Sequence, residues 1–135
     1  MRRLGMVVAL GLLALPAPVF ARSTSVERGL LRRINGARAG HHLPALRFRD
    51  ALRSIAVAHT SYMVRIHELR HASADGTTAD LRIRRALRVS STGETLALAM
   101  TASALFRLWM DSPPHRAILL DRHLKYIGLD RKSVV

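Results

Sequence analysis

TASALFRLWMDSPPHRAILL, residues 101–120, holds the chain's single tryptophan, Trp109, and a built-in change of direction. Ala102, Leu105, Phe106 and Trp109 recur at helical spacing, so a helix opening at Thr101 buries this face in a core. Ser112 followed by Pro113 combines an N-cap residue with a proline at the first helical position, where its missing N–H costs nothing. A short second helix therefore restarts there and carries His115 in its first turn. An imidazole at a corner between two helices is a place to look for chemistry.

Outward from this stretch, Glu94 to Met100 is the best strand candidate, entered through the loop Val89-Ser90-Ser91-Thr92-Gly93. On the other side, Leu124 to Leu129 reads as a closing strand, with His123 solvated among charged neighbours. Upstream, Ser23-Thr24-Ser25 offers cap hydroxyls to a helix with Val26, Leu30, Leu31 and Ile34 on one face, running out at Gly36 to Gly40. After the loop His41-His42-Leu43-Pro44, Asp50 starts a second helix whose stripe is Leu52, Ile55, Ala56, His59, Tyr62 or Met63, and Ile66. His59 lies on that stripe and reads as a hydrogen-bonded core residue. Ala72 to Gly76 is a turn marked by its Asp-Gly pair, and Thr77 with Asp80 resembles a capping box for a third helix through Leu81, Ile83 and Leu87. Helices with few strands make this an α+β chain of one domain.

Composition narrows the setting. Arg2 and Arg3, the apolar run Leu4 to Leu15 and the small-residue site Val19-Phe20-Ala21 predict an export leader over residues 1–21, leaving a single domain over 22–135. Pro16 and Pro18 interrupt the run short of the roughly 20 apolar residues of a membrane anchor, so membrane contact is expected only through an uncleaved leader. The expected destination is secreted or periplasmic. The chain has no cysteine, so folding rests on its core alone, which suits a bacterial exported protein. A net charge of +13 invites anionic partners. Yet the arginines are spread over every segment and only 4% of residues are aromatic, which predicts no specific nucleic acid and only weak attraction to anionic envelope polymers.

Two sets of residues can carry chemistry. His67-Glu68-Leu69-Arg70-His71 spells H-E-x-x-H, which on a continuous helix would give a zinc peptidase: His67 and His71 as ligands with Glu94 as the third, and Glu68 as general base. The turn at Ala72 to Gly76 places this pair at a fraying helix end. The second set is His71 before a tight turn, Glu94 at the entrance to a strand and His115 in the first turn of a helix. Where such ends meet, the side chains can hold Zn2+, share a proton, bind a polar ligand group, or simply brace strand to helix. No nucleophile is paired with a base: cysteine is absent and no serine sits in a recognisable elbow.

The ordered blocks LLRRINGAR (30–38), LPAL (43–46), AVAHTSYM (56–63), HASADG (71–76), GETLA (93–97), WMDSPPHRAIL (109–119) and IGL (127–129) resemble the CAP superfamily, the group of cysteine-rich secretory proteins, antigen 5 and pathogenesis-related 1, in a cysteine-free bacterial form. The resemblance implies a three-layer α-β-α sandwich with a cleft of histidines and acids. Carried over block by block, the cleft residues fall on His71, Glu94 and His115, with Asp111 as a weaker second acid. It further implies a non-catalytic binding or interaction module for a small ligand, a divalent metal such as Zn2+ or a cell-envelope component. Three departures stand out. Thr95 replaces the asparagine after the glutamate, Pro114 replaces the glycine before the histidine, and the C-terminal strands are short, so an exposed sheet edge or a covering second chain is expected.

Overall fold

Trp109 is fully buried, and the helix that carries it packs on one face of a four-stranded sheet. The computed structural model describes residues 6–12 and 25–133. Its elements are β1 (Met6–Leu12), α1 (Ser25–Gly40), β2 (Arg47–Phe48), α2 (Asp50–Ile66), α3 (Ala79–Ala86), β3 (Glu94–Leu98), α4 (Ala102–Asp111), α5 (Pro113–Leu119) and β4 (Tyr126–Ser133). The strand order is β2-β4-β1-β3, and every pairing is parallel.

Two apolar layers sandwich this sheet, giving the expected α+β, three-layer α-β-α arrangement. On one face Leu30 and Ile34 of α1, Leu105 and Trp109 of α4 and Leu119 of α5 meet Ile127 and Leu129 of β4. On the other, Leu52 and Ala56 of α2 meet Ile83 of α3, with Tyr126 packed against them. Alternation along β4 sends Ile127 and Leu129 one way and Tyr126 the other, as a period of two requires. Gly128 faces α2 so closely that an added Cβ would collide with the backbone of Leu52 and Arg53. The helix and the strand touch main chain to main chain there.

The helix boundaries follow local chemistry. Thr101 caps α4 by accepting from the Ala104 amide at 3.0 Å. Pro113 stands at the start of α5, although the Ser112 side chain makes no cap hydrogen bond. For α3 the cap is Thr78, which accepts from the Leu81 amide at 3.4 Å, one residue beyond the expected Thr77, which is buried. The first helix reaches Gly40 and thereby buries Arg38 completely. This guanidinium donates to the carbonyls of Pro44, Leu119, Asp121 and Leu124 at 2.8, 2.7, 3.0 and 3.2 Å. Burial lowers its pKa, opposed by Asp121. Four carbonyl dipoles replace the water it has lost and tie the end of α1 to α5 and the approach to β4.

Part of the apolar run expected as an export leader is β1, the strand between β3 and β4; residues 1–5 and 13–21 lie outside the described residues. The closing strand expected at Leu124 to Leu129 runs instead from Tyr126 to Ser133. No described helix is long and apolar enough to cross a membrane.

Candidate functional site

Glu94 opens β3 with a side chain only 2% exposed, and both carboxylate oxygens are engaged. His71 Nδ1 lies 2.9 Å from Oε1, and Arg82 Nη2 donates to Oε2 at 2.8 Å. A carboxylate only accepts, so His71 Nδ1 carries the proton and donates it, leaving Nε2 as the ring's other nitrogen. The His71 side chain is 57% exposed, so a fixed imidazole stands at the surface on a buried anion.

Arg82 holds this arrangement together from α3. Its Nη1 donates to the carbonyls of His71 and Thr77, each at 2.9 Å, and to Ser73 Oγ at 3.3 Å. The turn it clasps is closed locally: Gly76 has φ +79°, Ser73 and Thr77 are bonded through the main chain, and Asp75 accepts from the Thr77 amide at 2.9 Å. One guanidinium thus fixes the turn bearing His71 to the strand bearing Glu94. No sequence pattern singled Arg82 out, because arginines occur in every segment.

Two further histidines approach the pair. His115, half-buried in the first turn of α5, has its pKa lowered mainly by burial and then by repulsion from His71, which places the two imidazoles within electrostatic reach. Gly93 next to Glu94 packs against Ile118, so α5 is seated beside the start of β3. His59 is buried in α2, stacks on Tyr62 with ring centroids 5.8 Å apart, and donates from Nε2 to the Arg70 carbonyl at 2.8 Å. Its pKa is lowered by burial; the Arg70 bond and attraction to Glu94 oppose the shift, while Arg82 and His71 add to it. His59 is thus the hydrogen-bonded core residue expected, and it also borders the site. Asp111, the weaker candidate, is exposed at the end of α4 and outside the hydrogen-bonded cluster.

The H-E-x-x-H reading is corrected by the end of α2. The helix stops at Ile66, and His67 takes a left-handed conformation with φ +53°. Its amide and that of Glu68 close the helix onto Val64 and Met63. His67 and His71 therefore do not share a helical face, and Glu68 is exposed beside Arg70 at 3.6 Å. Among the described residues no group of three or more His, Cys, Asp or Glu side chains is placed to hold a metal ion. Zinc centres draw three or four ligands from the protein. Here Glu94 already faces the Arg82 cation and the His71 N–H, so the residues fit neither the expected His71, His115 and Glu94 centre nor the His67, His71 and Glu94 one. Thr95, at the position where an asparagine was expected, is buried and its hydroxyl has no hydrogen-bond partner among the protein atoms.

Comparison with known proteins agrees with this architecture. The profile described as the cysteine-rich secretory protein family, CAP, matches residues 31–133. Among solved structures, an outer surface protein of Borrelia burgdorferi superposes with a TM-score of 0.73 at 23% identity, covering 80% of this chain and 81% of that one. At that identity the likeness is one of fold. No curated protein sequence matches the chain.

Proposed function

From the premise that the chain belongs to the cysteine-rich secretory protein family, we propose that it is a non-catalytic binding module of the cell exterior, secreted or periplasmic. Its cleft takes a small polar ligand group between His71 and His115. The observation that carries this reading is the exposed His71 ring, fixed by a buried Glu94 that Arg82 holds in turn. Such an anchored imidazole presents one nitrogen in a set direction, and the order needed for recognition is already present before binding. The fold neighbour is an outer surface protein, which fits an exposed, non-catalytic role. The cluster contains no serine hydroxyl bonded to an imidazole, which a nucleophile and base would require.

Ligand-observed NMR with a library of small polar molecules tests the reading. Hits should be lost in both His71→Ala and His115→Ala, and Arg82→Met should weaken them by loosening the turn. Hits indifferent to all three substitutions would remove the cleft from consideration. Calorimetry with Zn2+ should show no tight stoichiometric uptake. Tight uptake lost in His71→Ala would restore a metal role.

A further inference from the structure

The strand β1 stands between two strands that do not pair with each other. Val7 to Gly11 pair in parallel with Glu94 to Leu98 of β3, and Met6 to Leu12 pair in parallel with Ile127 to Ser133 of β4. Successive strands lie about 4.8 Å apart, so β3 and β4 are separated by roughly twice that distance, too far for a direct hydrogen bond. The sheet holds together across this gap only through Met6–Leu12. That segment reads MVVALGL, an unbroken apolar run without alternation. This is the pattern of a parallel strand covered on both faces, and α2 packs against it.

The same seven residues belong to the stretch that reads as an export leader. If residues 1–21 are removed on export, β3 and β4 each present an open row of amides and carbonyls flanking a strand-wide gap in the sheet. Unpaired main-chain groups of this kind are costly to leave and strongly favour the addition of a strand. We propose that the gap between β3 and β4 is a strand-acceptor site which, in the processed protein, takes an extended apolar segment of a second polypeptide running parallel to both neighbours. The occupant is defined by what β1 supplies in the uncut chain: about seven aliphatic residues, no proline and no charge. Val7 lies in register with Glu94, so the incoming strand also supports the backbone beneath the anchor of His71. Strand capture and the cleft are adjacent sites on one strand. The proposal rests on removal of the leader and not on the identity of any cleft ligand.

The test begins with the full chain carrying a protease recognition sequence within residues 13–24, folded and then cut. The N-terminal piece should stay bound through size exclusion. A fluorescent peptide of residues 6–12 with lysines at its ends should then displace it, and a scrambled peptide should compete at least about tenfold less well. Direction is read by disulfides, since the chain has no cysteine of its own. A peptide with Gly11→Cys should cross-link to Leu98→Cys, and one with Val7→Cys should not. As a control that needs no cleavage, Gly11→Cys with Leu98→Cys should form a disulfide within the uncut chain. The proposal is overturned if that disulfide does not form, or if the labelled peptide never enters. It is equally overturned if the cut piece leaves while β3 and β4 keep their hydrogen-exchange protection, or if the exported protein still carries Met6–Leu12 at its N-terminus. Loss of cleft hits in His71→Ala has no bearing on any of these readouts.

Discussion

Burial holds the His59 imidazole below its ordinary pKa even though the Arg70 carbonyl and Glu94 pull it upward. His115 shifts the same way, through burial and then His71. In the unfolded chain both would titrate near 6.5. Above that value they are neutral in both states and their packing contributes in full. As the pH falls below it the unfolded state takes up protons first, and stability is lost progressively until the lowered folded values are passed. The melting temperature should therefore drop between pH 7 and 5. His59→Gln, which retains a donor for the Arg70 carbonyl, should flatten part of that drop; a profile identical to the parent's would contradict the assignment. Much of this cluster was legible in the sequence: His71 and Glu94 came from ordered blocks, and His59 from its place on an apolar stripe. Arg82 and Arg38 were not, because a guanidinium that clasps carbonyls across the fold has the same local context as one in solvent. Nor could spelling alone settle H-E-x-x-H, since the left-handed His67 that breaks it is a backbone conformation.

Gly128 shows how much of one element's position hangs on another's missing side chain. The α2 helix touches β4 through the main chain of Leu52 and Arg53, neither of which can rotate away as a side chain would. Gly128→Val should lift α2 from the sheet and lower stability by at least about 1–3 kcal/mol, the range for overpacking a filled core. Urea unfolding measures it. Gly93→Ala, facing only the Ile118 side chain, should cost less. Equal losses in the two variants would mean that α2 yields freely. At this scale the sequence announced the helices well: Thr101 caps α4, and Ser112-Pro113 turns the chain into α5. What escaped was β1. An apolar run without alternation has the same composition in a buried parallel strand as in an export leader, and only partners distinguish them.

The whole molecule carries a net charge of +13 that no single face accounts for in the sequence. Attraction to a polyanion should then be diffuse. Retention on an anionic polymer column should weaken steeply as salt shortens the Debye length from about 10 Å at 0.1 M to about 3 Å at 1 M. No one arginine-to-glutamine change should abolish it; a single variant that did so would reveal a specific site instead. The sheet also imposes an order of events on the newborn chain. Its first strand is completed by its last, so Met6–Leu12 must wait for Tyr126–Ser133 to be synthesised before the two can pair. Closing so long a loop comes late and slowly, and no N-terminal half can finish the sheet alone. A polypeptide built this way leaves the ribosome still unfolded, the form in which a chain can be threaded through a narrow channel.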